Sequence, residues 1–326
     1  YQALALDLAT AARSKLGADQ GVYVEAADGT VLLAQFADLP VHPASISKIP
    51  TTLALLRRLG PEHRFTTTFS VAGRLDGGVL RGDLIVEGGG DPFLVDENAV
   101  LVAAQLRSLG IERVEGTLRA RGALTFNWEP ATADARLRAA LAGSIPAPAW
   151  NAVRANLGGG VLSASATPPA LRFTTATASI TAPGKSGAPQ PLLLHRSQPL
   201  LPMVKALNDY SNNIFKPLAD AAGGVSAVER LARETLPEAM RSEVTLGDGA
   251  GTDRRNRLSP RATVKLLRAL EADLVAQGHA LTDVLPVAGV DDGTLRRRIN
   301  GPDELGRVVG KTGTYNDYGA CALVGA

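Results

Sequence analysis

The chain has seven lysines, and two stand where an amine could serve a neighbouring hydroxyl. Lys48 closes the string Ser45-Ile46-Ser47-Lys48, and Lys311 opens Lys311-Thr312-Gly313-Thr314. A serine and a lysine three positions apart share one face of a helix, one turn from each other. A serine hydroxyl is a weak nucleophile until a base takes its proton. A lysine can be that base when burial or a nearby cation lowers its pKa. Such a pair suits acyl transfer through a covalent serine intermediate. The positive end of a helix beginning at the serine would stabilise a developing oxyanion.

The elements that must hold this pair follow from the apolar pattern. Ile49, Leu53, Leu56 and Leu59 recur at helical spacing, which predicts a buried helix over 44–59 ending near Gly60-Pro61. Pro50 removes a backbone donor, so an irregular second turn is expected.

Two further strings bear on the same chemistry. Ser211-Asn212-Asn213 follows Leu207-Asn208-Asp209-Tyr210, and Lys311-Thr312-Gly313 follows Val308-Val309-Gly310. Read singly, the first suits a helix-capping turn and the second a strand running into a loop. Serine–lysine acyl-transfer enzymes carry S-x-x-K, S-x-N and K-T-G in that chain order, and this chain carries all three in that order.

With its long gap after S-x-x-K, the chain resembles the D-alanyl-D-alanine carboxypeptidase/endopeptidase family, the low-molecular-mass class C penicillin-binding proteins. The resemblance extends through Arg81-Gly82-Asp83-Leu84, Gly88-Gly89-Gly90-Asp91-Pro92, His195-Arg196-Ser197-Gln198-Pro199-Leu200, Asn256-Arg257-Leu258-Ser259-Pro260 and Leu285-Pro286-Val287-Ala288-Gly289-Val290. It spans about residues 20–326 and is weakest over 120–190. It implies an α+β fold: a serine β-lactamase/transpeptidase-like domain, an antiparallel sheet flanked by helices, with a smaller inserted domain. The expected organisation is a discontinuous catalytic domain over 1–65 and 191–326 around an insert at 66–190.

The resemblance also implies roles. Ser45 would be the acyl-forming nucleophile and Lys48 its base, with Lys311 lowering the Lys48 pKa. Ser211 would relay a proton to the leaving amine, and Asn213 would orient Lys48 and bind the substrate amide. Lys311, Thr312 and Gly313 would line the substrate's carboxylate, and the Thr314 N–H would join that of Ser45 in an oxyanion hole. The implied substrates are peptidoglycan stem peptides ending in D-Ala-D-Ala, with β-lactam antibiotics as acylating mimics. The implied compartment is periplasmic or extracellular. Competing readings are a β-lactamase- or esterase-like hydrolase and a catalytically silent cell-wall-binding protein. The chain departs from the family at Ala250, where serine is usual. Only 15 residues follow Lys311, whereas the family chain runs on through another strand and a helix.

Composition narrows the alternatives. Hydrophobic residues make up 45% and aromatic residues 4% of the chain, enough for a core and too few aromatics for a base-stacking platform. A net charge of +2 is no nucleic-acid signature, and the short arginine clusters at 254–257 and 296–298 read as solvated loops. Four scattered histidines and one cysteine form no metal-ligand spacing, so no metal or other cofactor is expected. Cys321 falls on a predicted strand and is expected to be a buried structural thiol. No stretch is long and apolar enough to span a bilayer, which leaves at most peripheral membrane contact. The chain begins at Tyr1 without a signal segment, as a mature exported protein would. Oligomeric state has no sequence signal.

The remaining pattern predicts a helix over 3–16 and a hairpin of strands 21–25 and 30–36 turning at Asp28-Gly29. Strands are expected at 66–71, 84–86 and 114–121, and helices at 97–109, 200–207, 214–222, 226–235 and 259–272. Residues 126–190 are rich in small and turn-forming residues. A short helix at 133–141 and strands near 171–176 and 179–182 are expected there.

Overall fold

The computed structural model describes residues 1–156, 165–174, 188–210, 214–299, 301–316 and 319–326. Two expectations, the 211–213 turn and the strand at 179–182, lie outside the described residues. The chain divides into two compact units, one of residues 1–63 with 199–326 and one of residues 64–198.

The first unit opens with α1 (Gln2–Lys15) and the hairpin β1 (Val22–Glu25) and β2 (Val31–Gln35). The hairpin turns where Asp28 Oδ1 accepts from the Thr30 N–H at 2.9 Å. A 3₁₀ turn over Ala44–Ser47 leads directly into α2 (Lys48–Leu59). The expected irregularity at Pro50 therefore sits upstream of the proline. Because α2 starts at Lys48, Pro50 lies in the first helical turn, where its missing N–H costs nothing.

Helix α2 is buried nearly all round, with Ile49, Leu53 and Leu55 inaccessible. Around it pack α6 (Leu200–Tyr210), α7 (Phe215–Ala221), α8 (Val225–Thr235) and α9 (Pro260–Ala276). A helix buried from Lys48 to Leu56 holds its N-terminal residues at a fixed height in the core. Helix α9 begins at Ser259, whose Oγ accepts from the Ala262 N–H at 3.1 Å, with Pro260 at the first helical position. That is the Ser-Pro start signal read literally.

Three antiparallel ribbons complete this unit among the described residues. They are β1–β2, β9 (Val244–Thr245) with β10 (Arg257–Leu258), and β11 (Gly310–Tyr315) with β12 (Ala320–Gly325). Strand β11 packs against the Ala44–Ser47 turn. Cys321 corrects an expectation: it is exposed, on the outward phase of β12, opposite Thr314 in the ladder.

The second unit is built on a hairpin of two 11-residue strands, β3 (Thr66–Asp76) and β4 (Val79–Gly89). Its six-stranded sheet runs β7 (Arg172–Phe173), β5 (Arg113–Val114), β4, β3, β8 (Gln190–Arg196), with β6 (Leu118–Ala123) also paired to β4. Pairing is mixed: β3 is antiparallel to β4 and β8, while β5 and β6 run parallel to β4. The expected boundary near 190 falls at the start of β8, so this unit extends to Gln198. Pro191 is tolerated because β8 is an edge strand.

Helices α3 (Asp96–Ser108) and α4 (Ala133–Leu141) cover the sheet with Val102, Leu106 and Leu137 against Phe69, Leu80 and Leu84. A further helix, α5 (Ala147–Asn156), was not expected. Its Pro148 reads as a breaker, yet it occupies the second helical position, where proline fits.

Candidate active site

Ser45 sits in the 3₁₀ turn and Lys48 is the first residue of α2. The turn is set by Ala44, which is fully buried and left-handed at φ 49°. A left-handed alanine persists only where surrounding contacts over-determine it. One is its own N–H, which donates to His42 Nδ1 at 3.3 Å. His42 Nε2 in turn lies 3.1 Å from the Asp253 carbonyl. The His42 ring stacks on Tyr315 at 5.3 Å, which ties the turn to the end of β11.

Lys48 Nζ lies 3.4 Å from Ser45 Oγ, and both side chains are buried. Its Nζ also stands 5.2 Å from the centre of the Phe215 ring. The Lys48 pKa falls to about 7, first through burial and then through the positive charge of Lys311, with Asp248 opposing. A buried ammonium facing a second cation loses its usual preference for the charged form. The arrangement supplies an amine that can be neutral at ordinary pH, beside a hydroxyl.

Lys311 and Thr312 are on β11 and are each 5% exposed, while Thr314 is exposed. Lys311 Nζ donates to its neighbour's carbonyl, Thr312 O, at 3.0 Å. Gly313 is where β11 meets the turn that carries Ser45. A Cβ there would stand 2.6 Å from the Pro43 carbonyl oxygen and 3.1 Å from the Ser45 nitrogen. Only glycine lets the strand approach this closely. Thus Ser45, Lys48, Lys311, Thr312, Gly313 and Thr314 belong to one neighbourhood. Ser211 and Asn213 lie outside the described residues. In sequence they follow α6 and precede Phe215.

Sequence reasoning missed three contributors. Asp248 precedes a glycine and suits a turn by residue type alone. Its carboxylate accepts from the N–H groups of Ala250, Gly251, Thr252 and Asp253, and from Thr252 Oγ1 and Asn256 Nδ2. Burial pushes its pKa up, but hydrogen bonds led by Thr252 and Asn256 outweigh this and hold the carboxyl below its usual value. The loop it organises is fastened to α2, since Thr51 Oγ1 donates to the Gly249 carbonyl at 2.9 Å. Asp209, on the last turn of α6, has its pKa raised to about 6 by burial and by Asp291, against Lys205 and Lys311. Thr294 opens α10 (Thr294–Arg298), and its hydroxyl is hydrogen-bonded to Thr312 Oγ1. Neither residue carried a local signal.

No group of histidine, cysteine, aspartate and glutamate side chains suited to a metal occurs among the described residues. Among the same residues, no helix is long and apolar enough to cross a membrane.

Several known proteins resemble this chain in sequence or fold. The chain is 26% identical over 355 residues to carboxypeptidase DacB of Mycolicibacterium smegmatis, covering 98% of this chain and 76% of that one. Its fold matches a penicillin G-acylated predatory endopeptidase, Bd3459 of Bdellovibrio bacteriovorus, solved with the immunity protein Bd3460. That match has a TM-score of 0.75 at 23% identity and covers 90% of this chain and 78% of the other. Penicillin-binding protein 4 (dacB) of Haemophilus influenzae matches with a TM-score of 0.69 at 19% identity, over 94% and 86% of the two chains. At such identities the structural likenesses establish the fold: a transpeptidase-like α+β domain with an inserted domain. The family model for the D-Ala-D-Ala carboxypeptidase 3 (S13) family matches residues 2–129 and 169–326. Its gap falls in the stretch where the sequence resemblance is weakest. With most of its length matched, and with a buried lysine held beside a serine on a short turn, this chain belongs to the D-Ala-D-Ala carboxypeptidase 3 (S13) family of serine-type carboxypeptidases.

Proposed function

We propose that the unit of residues 1–63 and 199–326 is the catalytic domain, that residues 64–198 are its insert, and that Ser45 is the acyl-forming nucleophile. The observation that carries this reading is the buried Lys48 amine 3.4 Å from Ser45 Oγ, with its pKa lowered to about 7. The substrate is a peptidoglycan stem peptide ending in D-Ala-D-Ala. Neutral Lys48 accepts the Ser45 proton as Oγ attacks the penultimate carbonyl carbon. The N–H groups of Ser45 and Thr314 receive the oxyanion. Collapse breaks the C–N bond, and the leaving amine takes a proton relayed through Ser211. Terminal D-Ala departs, and water then hydrolyses the Ser45 ester.

Lys311 and Thr312 bind the terminal carboxylate, a role that suits a second buried lysine whose charge reaches Lys48. Gly313 keeps the strand close enough for the carboxylate and carbonyl ends to be held together. Asn213 orients Lys48 and the substrate amide. β-Lactams present the same carboxylate and a strained amide, so they acylate Ser45. Cross-linked peptides are an additional substrate class. Such substrates place the enzyme outside the cytoplasmic membrane.

The test is intact mass after incubation with benzylpenicillin, beside D-Ala release from a D-Ala-D-Ala peptide. One adduct on wild type and none on Ser45→Ala, with D-Ala released, is the expected result. Rapid β-lactam turnover without D-Ala release would favour a β-lactamase. No adduct and an intact antibiotic would end the acyl-serine reading and leave cell-wall binding.

A further inference from the structure

We propose that Thr294 is a positioning residue for the carboxylate end of the substrate, acting through its hydrogen bond to Thr312. The proposal rests on the reading that Thr312 lines the carboxylate site. Two hydroxyls in mutual contact own two protons, of which one closes the bond between them and one points outward. Either oxygen can be the donor. When Thr294 donates, Thr312 Oγ1 is occupied as an acceptor and its own proton is left for an incoming anion. An O–H whose oxygen already accepts a hydrogen bond is the better donor. Thr312 is 5% exposed, so little water competes for that proton. Thr294 is exposed at the outer side of the pair.

The placement of Thr294 does not depend on the bond itself. The segment before it runs beside β11. The Gly310 N–H donates to the Pro286 carbonyl at 3.1 Å, and the Ala288 N–H donates to the Val308 carbonyl at 2.8 Å. Val287 and Val309 form an antiparallel bridge. Asp291 then closes the turn by accepting from the Val287 N–H at 2.8 Å, and its other contact is Lys205 at 2.8 Å. Gly293 caps α10 at φ 108°, where a Cβ would stand 3.2 Å from the Asp209 carbonyl oxygen. Leu295 anchors the far side at 1% exposure. The hydroxyl is thus delivered to Thr312 by a backbone that has its own hold on the strand.

The test compares Thr294→Val, which keeps the shape and loses the donor, with Thr294→Ser, which keeps the donor. The probes are benzylpenicillin and its methyl ester, which lacks the carboxylate charge. The readout is the rate constant for Ser45 acylation by quenched intact mass. Thr294→Val should slow acylation by benzylpenicillin about three- to tenfold, the scale of one neutral hydrogen bond. The ester should react at the wild-type rate, and Thr294→Ser should restore the difference. Equal slowing with both probes would assign Thr294 a merely structural role, and no slowing with either would remove it from the site; both overturn the proposal. If wild type itself is not acylated, the acyl-serine reading fails first and this one falls with it.

Discussion

The lowered Lys48 pKa has a direct kinetic consequence. An ordinary lysine, titrating near 10.5, is neutral in about one molecule in three thousand at pH 7. With the pKa at about 7, half the molecules carry the base. The difference corresponds to about 5 kcal/mol between the two protonation states. Below pH 7 the neutral fraction falls to about a tenth at pH 6 and about a hundredth at pH 5. The acylation rate constant with benzylpenicillin should follow that acid limb, falling about tenfold for each pH step below 6. Asp209 titrates near 6 in the same region, so Asp209→Asn is the control: the limb should survive it.

Replacing Lys311 by methionine removes the neighbouring cation, and the limb should move to higher pH. Because Lys311 is also proposed to hold the carboxylate, the shift should be read with penicillin methyl ester as the probe. A rate constant flat from pH 5 to 9, or a limb unmoved by Lys311→Met, would refute the assignment of Lys48 as the base and Lys311 as its electrostatic partner.

Three further perturbations probe separate features. Gly313→Ala places a methyl group 2.6 Å from the Pro43 carbonyl oxygen and 3.1 Å from the Ser45 nitrogen. Acylation by the folded protein should fall at least about tenfold, since about 1 Å of displacement suffices to spoil a reacting geometry, and the clash should also cost about 1–3 kcal/mol of stability. Ser259→Ala removes the cap on α9, whose Oγ accepts from Ala262 N–H at 3.1 Å. It should cost about 1–2 kcal/mol in urea unfolding while leaving the acylation rate of the folded enzyme unchanged. Cys321 is exposed, so native protein should take one equivalent of a maleimide and Cys321→Ser none, as read by intact mass.

The sequence was most informative where chemistry is local. The three-residue spacing of Ser45 and Lys48 identifies the pair, although a 3₁₀ turn and not a regular helix joins them, and the apolar pattern identifies α9. Position across the chain was harder to read. Nothing near Thr294 indicates that it meets Thr312, because that contact depends on residues 286–288 running beside 308–310. Asp248 leaves little trace in the sequence because its partners are mostly loop amides, which every sequence possesses. Cys321 was misassigned for a register reason: alternation along β12 fixes two faces but does not say which one is wet. The expected strand at 114–121 is two strands, β5 and β6. The division falls at Glu115–Thr117, where Gly116 presses its backbone against Gly82.

The left-handed turn at Ala44 also bears on how the molecule acquires activity. No local preference holds an alanine at φ 49°; it is imposed by His42, by Gly251 packed against the Ala44 carbonyl, and by Gly313 of β11. The Thr51–Gly249 bond alone joins positions 198 apart in the chain, and residues 64–198 intervene between the two halves of the unit. Contacts of such sequence separation close late in folding. On the proposed role of Ser45, a partly folded chain, whatever helices it has formed, holds that residue as an ordinary unreactive serine. Acylation by a β-lactam then counts finished molecules, and its amplitude during refolding is a direct clock for assembly of this unit.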